Sequence, residues 1–157
     1  GVKRPVFLAT EEPLYTSIER RRGFQAALSS QGIKFSDEMI VVCSDDMDKN
    51  YSIIRKMLSN KKRPDGIFAS IEKYAITTYQ VCKELKINIP RDLKIIGMTN
   101  LRTAALLNPS LSTLSQPAFE MGREAASLLI KMIEKKSYAA ANDIIVLNNE
   151  MTIRDSV

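Results

Sequence analysis

The side chains able to do chemistry in this sequence are carboxylates, hydroxyls, amides and a few arginines; there is no histidine. Its absence removes the commonest general base, the Ser-His-Asp arrangement and the main zinc ligand. Carboxylates remain at Glu11-Glu12, Asp45-Asp46 and Asp48. Acids at such positions also serve as solvated loop residues and helix caps, and no nucleophile stands beside a partner that would activate it. Cys43 and Cys82 sit in apolar stretches without metal-ligand spacing. They read as buried free thiols in a reducing compartment. Neither a GxGxxG turn nor a phosphate-binding loop follows a strand. No enzyme activity, metal or cofactor is expected.

The elements that carry these residues alternate. Residues 4–9 form a short apolar run suited to a buried strand, and 17–30 read as a helix stopped by Gly32. Ile18, Phe24, Ala27 and Leu28 are expected on its inner face. Residues 39–43 are a β-branched strand, and Asp48 is positioned to cap a helix reaching about Asn60, with Ile53, Ile54, Met57 and Leu58 inward. A third strand covers 65–69, a helix covers 72–86 with Ala75, Tyr79, Cys82 and Leu85 at helical spacing, and a fourth strand covers 93–97. Strands alternating with helices of this length predict an α/β fold, a doubly wound parallel sheet covered on both faces.

In such a sheet, ligands sit outside the carboxyl ends of the strands. That rule selects residues 10–17, 44–46, 70–72 and 98–100, and with them Arg20 on the first helix. The candidates for a polar binding site are Arg20, Thr99, Glu72, Asp45, Thr16 and Asn100. Hydroxyls, an amide and carboxylates on one edge suit a polar small molecule such as a sugar better than acid–base catalysis.

After Gly97 the pattern loosens. Residues 98–116 read as a long connection with one extended piece at Ser112-Thr113-Leu114, and Pro117 fits the first turn of a helix to about Lys135. Phe119, Gly122, Ala126, Leu129, Ile130 and Ile133 form its apolar stripe. Patterning alone favours a core role for that stripe. A polar loop over 137–142 and two short strands, 143–147 and 151–154, complete the chain.

Length suits a single domain; 45% apolar and 26% charged residues are ordinary for a globular chain. The net charge of +5 is scattered; its densest clusters are Arg20-Arg21-Arg22 and Lys61-Lys62-Arg63, short runs whose usual meaning is a solvated surface. No aromatic-basic interleaving, helix-turn-helix or zinc finger is present, so duplex DNA should bind weakly and without sequence preference. No stretch approaches a membrane span and no secretion signal opens the sequence, which reads as cytoplasmic.

Six segments, in order, carry a family resemblance. They are Arg20-Arg21-Arg22-Gly23-Phe24, residues 63–69 (RPDGIFA), 89–97 (IPRDLKIIG), 107–114 (LNPSLSTL), Gln116-Pro117 and Met121-Gly122-Arg123. Together they resemble the effector-binding core of LacI/GalR-type transcription regulators, which share the type I periplasmic-binding-protein fold. The resemblance implies that residues 1–111 form a carboxyl-terminal lobe, that 112–147 are elements of an amino-terminal lobe, and that 148–157 are a closing strand and tail. It implies a homodimer whose cleft binds a small sugar-like effector and thereby controls DNA binding allosterically, through an amino-terminal helix-turn-helix outside these residues. A solute-binding protein for sugar uptake is the alternative. Arg20 falls where the family's pattern places an effector-contacting arginine before Gly-Phe. Ile71-Glu72 replaces a usual Asn-Asp, and Thr99 replaces a usual aspartate, so an acidic or phosphorylated effector, or lost effector binding, becomes an expectation. With most of a lobe elsewhere, the stripe of 117–135 would face water, and self-association through 112–147 is expected.

Overall fold

The computed structural model describes residues 1–11, 14–134 and 144–157. Its elements are β1 (Pro5–Thr10), α1 (Tyr15–Ser30), β2 (Ile40–Cys43), α2 (Met47–Leu58), β3 (Gly66–Ala69), α3 (Glu72–Glu84), β4 (Lys94–Met98), β5 (Ser112–Ser115), α4 (Ala118–Glu134) and β6 (Glu150–Thr152). They build one sheet of order β2-β1-β3-β4-β5-β6. All neighbours are parallel except β6, which runs antiparallel to β5.

Side-chain alternation along the strands sorts the two faces. Val6 and Leu8 of β1, Ile67 and Ala69 of β3, and Ile95 of β4 point to one side. There they meet Ile54 and Leu58 of α2 and Tyr74, Ala75, Val81 and Cys82 of α3 in a single core. Phe7 points the other way and stacks on Phe24 of α1, with ring centroids 5.5 Å apart; Phe68 lies 5.3 Å from Phe7. Helices therefore cover both faces, as a doubly wound sheet requires. Gly97 permits the tight approach of α3, because a Cβ there would lie 3.3 Å from the Ala75 Cβ and 3.1 Å from Leu111 Cδ2.

Local signals set the helix ends. Gly32 stops α1 at a φ of +69°, and Ile33 N–H donates to the Leu28 carbonyl at 2.9 Å, which closes the last turn. The cap of α2 is Asp46 rather than the expected Asp48. Its Oδ1 accepts from the N–H groups of Asp48 (2.9 Å) and Lys49 (3.1 Å), so Asp48 lies inside the first turn. In α1 only Leu28 is buried; Ile18 and Ala27 are exposed because the helix covers the sheet with a narrow strip around Phe24 and Leu28.

The carboxyl-terminal third departs further from expectation. A 3₁₀ turn at Arg102–Leu106 interrupts the long connection. The extended piece becomes β5, which pairs with β4 at Ile96–Ser112, so the sheet continues across the boundary drawn after Leu111. Residues 144–149 are not a strand; β6 begins at Glu150, and the polar loop at 137–142 lies outside the described residues. The tail is clamped instead. Ser156 is buried, its Oγ donating to the Ile95 carbonyl at 2.6 Å and accepting from Ser112 N–H at 2.8 Å. Arg154 Nη1 donates to the Leu111 carbonyl at 2.6 Å. No residue of α4 is buried. Phe119 is 77% and Ile133 71% exposed. The stripe that patterning assigned to a core thus faces solvent, because no described element lies against it.

Candidate functional site

Chain order and sheet order disagree at one place. β2 lies on one side of β1, and β3 and β4 follow on the other. In open α/β sheets the loops leaving such a pair of strands diverge, and ligands sit outside the carboxyl ends at that point. Arg20, on the sheet-facing side of α1, reaches this point: its Nη1 donates to the carbonyl of Ser70, just past β3, at 3.2 Å. Arg20 is half-buried, and burial lowers its pKa from the ordinary value. It stays a cation, and among the described residues it has no carboxylate partner. Its neighbours in sequence differ, for Arg21 pairs with Asp37 at 3.5 Å and Arg22 with Glu19 at 2.7 Å.

Ser70 adds a second feature. The residue is 2% exposed, and its Oγ has no hydrogen-bond partner among the described residues. A buried hydroxyl left this way costs about 1–3 kcal/mol, so it calls for a structural or functional reason. By strand alternation Ser70 follows Phe68 onto the α1 side of the sheet, where Arg20 also lies. Across the β1 end, Thr10 Oγ1 and Ser17 Oγ are 2.6 Å apart.

The other candidates share the edge but occupy separate depressions. Asp45 borders an open hollow of about 390 Å³ with Thr10, Ser44 and Tyr74, and its carboxylate is held by Lys73 Nζ at 2.5 Å. Thr99 is 7% exposed and accepts the Leu101 N–H at 3.0 Å. With the exposed Glu72 it lines a small, largely apolar hollow between α3 and the 3₁₀ turn. Asn100 is occupied in both directions: Nδ2 donates to the Gln116 carbonyl at 2.6 Å and Oδ1 accepts from Gln116 N–H at 2.9 Å. It ties the end of β4 to the exit of β5. Thr16 is an exposed residue of the first turn of α1. Glu12 lies outside the described residues.

Sequence reasoning missed Lys73 and the individual weight of Ser70. Lys73 follows Glu72 at a helix start and reads as a surface charge; only the fold brings it to Asp45. Tyr74 was missed as well. It donates from its hydroxyl to the Cys43 carbonyl at 3.1 Å, and burial pushes its pKa to about 12.

The thiols carry no reactive signature. Burial raises Cys43 from 9.0 to about 11 and Cys82 from 9.0 to about 12. The thiolate is the nucleophile, so alkylation at pH 8 should be slow in the folded chain and should track unfolding in a urea series. The folded state holds these protons above the pH at which the unfolded chain releases them. Their contribution to stability is therefore complete below about pH 9 and is lost as pH rises toward 11–12. Rapid native labelling of either cysteine would contradict this picture.

Among the described residues no group of three or more His, Cys, Asp or Glu side chains could hold a metal ion, and no helix is long and apolar enough to cross a membrane.

The chain is 26% identical over 157 residues to the HTH-type transcriptional regulator RegA of Clostridium saccharobutylicum, covering 99% of this chain and 47% of that protein. It is 31% identical over 117 residues to the transcriptional repressor PurR of Serratia proteamaculans, covering 74% of this chain and 34% of the repressor. A solved complex of the transcriptional regulator CelR with cellobiose superposes with a TM-score of 0.89 at 22% identity, covering all of this chain and 47% of that one. The chain thus spans about half or less of the length of these relatives. The model of the periplasmic binding protein-like domain matches residues 1–157, and the chain belongs to that family.

Proposed function

We propose that this chain is the effector-binding core of a LacI-type transcription regulator that takes a small polar molecule, a sugar or sugar derivative, at the carboxyl edge of its sheet. The observation that carries the reading is Arg20 at the switch point, half-buried and bonded, among the described residues, to the neutral carbonyl of Ser70, a residue whose own hydroxyl is orphaned there. A ligand oxygen there would satisfy both groups. Thr99, Glu72, Asp45, Thr16 and Asn100 extend the edge, with Asp45 and Asn100 contributing only after giving up the partners they now hold. In this reading residues 1–111 form one lobe, 112–147 reach toward a second, and 148–157 return to close the first, with β5 at the root of the crossing. The protein acts in the cytoplasm without catalysis. It controls operator DNA through a helix-turn-helix outside these residues, because effector affinity differs between two arrangements of the lobes.

Two measurements test this. Sequencing the codons upstream of Gly1 should find a helix-turn-helix and most of a second lobe; a stop codon or an unrelated domain there overturns the reading. A thermal-shift panel of neutral sugars, sugar acids and phosphosugars on the full gene product should give at least one concentration-dependent rise in Tm. No response from any of these classes counts against a sugar-like effector.

The exposed stripe of α4 yields a further expectation. Large apolar side chains left in water forfeit roughly 1.5–3 kcal/mol each. Phe119, Leu129, Ile130 and Ile133 are all exposed, so the 157-residue chain should dimerise through this helix, by packing or by exchange. Light scattering should show concentration-dependent association that Ile133→Asp abolishes. A strict monomer at high concentration would refute it.

A further inference from the structure

Strand register brings two basic segments together at the amino-terminal edge of the sheet, opposite the edge that carries Arg20. β1 and β3 pair in parallel with Pro5 against Gly66. Just ahead of them run Lys3-Arg4 and Lys62-Arg63, remote in sequence and forced side by side by that pairing. Asp65 fixes the junction, its carboxylate accepting the backbone N–H groups of Lys3 (3.1 Å) and Arg4 (2.6 Å). Arg4 Nε donates to the Arg63 carbonyl at 2.9 Å, which orients the guanidinium and, among the described residues, leaves its two terminal nitrogens for other acceptors. Asn60 Oδ1 accepts Lys62 N–H at 2.9 Å and shapes the turn.

Between these segments and the end of α2 lies an open hollow of about 310 Å³. Lys3, Arg4, Lys62 and Arg63 line it, and Glu38 is the only acid among its lining residues. None of the four cationic side chains forms an ion pair among the described residues. The Asp65 carboxylate is engaged by backbone amides. Glu38, the adjoining Asp65 carboxylate and the carboxyl end of α2, which adds about half a negative charge, offset part of the charge of the four cations and leave the hollow net positive. Concave walls concentrate the remaining positive potential. The opposite edge carries Glu11, Asp45 and Glu72 against Arg20 and Lys73, so the excess of cations belongs to this hollow and not to that edge.

We propose that this hollow is a second binding site, for a small phosphorylated anion such as a phosphate monoester or a diphosphate. Its volume lies at the lower end of the ~300–1,000 Å³ range of small-molecule sites. A guanidinium fork and ammonium groups on either side of a concavity match phosphate oxygens in charge and geometry. The site is separate from the effector edge and does not depend on the function proposed there.

Calorimetric titration of the 157-residue chain with pyrophosphate, at ionic strength held constant with chloride, tests the site. We expect saturable binding that weakens as salt is raised. Arg4→Gln combined with Lys62→Gln should reduce affinity at least about tenfold, since two charge-assisted contacts are removed. Lys62→Gln alone, at an exposed turn with the backbone bonds intact, should weaken binding severalfold with unchanged thermal unfolding. Arg20→Ala should leave pyrophosphate affinity as it was. The proposal is overturned if pyrophosphate gives no saturable heat, if the double variant binds like the parent, or if Arg20→Ala abolishes binding and so places the anion at the effector edge. Tighter binding of a phosphate-matched DNA duplex would overturn it too, showing a polyanion surface in place of a small-molecule site.

Discussion

Replacing Arg20 with alanine is expected to weaken effector binding by about 10- to 100-fold while leaving the fold nearly intact. A hydrogen bond to a charged group is worth about 1.5–3 kcal/mol, and each 1.4 kcal/mol is a factor of ten in affinity. The fold loses little, because among the described residues the guanidinium bonds only to the Ser70 carbonyl. Calorimetry on the full gene product, with the compound giving the largest thermal shift, measures the effect directly. Arg21→Ala and Arg22→Ala serve as controls. Each removes an exposed ion pair, with Asp37 and Glu19 respectively, and such pairs are worth at most about 1 kcal/mol. Arg20→Lys keeps the charge but loses the planar fork, and should fall between parent and alanine. Unchanged affinity in Arg20→Ala would remove the central residue of the proposed site.

Leu8→Ala is expected to cost about 2–5 kcal/mol of folding stability, a large share of the ~5–15 kcal/mol available to a typical domain. Leu8 is 0% exposed, lies on the interior strand β1, and has Val41 and Ala69 as register partners on either side. Ile54 and Leu58 of α2 and Ala75 of α3 belong to the same core, and neither the rigid sheet nor the helices can close over the cavity. Urea denaturation followed by circular dichroism reads the loss as a lower midpoint at similar slope. Ile133→Ala on α4 should change the stability of the monomer by no more than a few tenths of a kcal/mol, because its side chain is already in water. A small effect at Leu8 together with a large one at Ile133 would mean that the core has been assigned to the wrong face of the molecule.

Much of this architecture was legible in the sequence because the signals are local. Alternating apolar runs and helical stripes located β1 to β4 and α1 to α3 within a few residues. Gly32 marked the end of α1 by its need for positive φ, and the strand-end rule put Arg20 on the carboxyl edge, where the structure has it beside Ser70. The α4 stripe was equally visible, but periodicity reports only that a face is apolar. It does not report what covers that face, and here no described element does.

What tertiary structure alone decided is partnership. Asp45 and Glu72 looked equivalent as loop acids. Folding gave Asp45 the ammonium of Lys73 and left Glu72 exposed beside Thr99. Asn100 looked available to a ligand, yet its amide is closed on Gln116 in both directions. Ser156 lies in the segment read as a closing strand and tail, and folding buries it between Ile95 and Ser112. Lys3-Arg4 and Lys62-Arg63 looked like scattered surface charge until the pairing of Pro5 with Gly66 placed them around one hollow. The physical reason is common to all four. Side-chain period within an element follows from backbone geometry and is written along the chain, whereas sheet order and register are set by packing between residues distant in sequence, and contacts between side chains exist only once that packing is made.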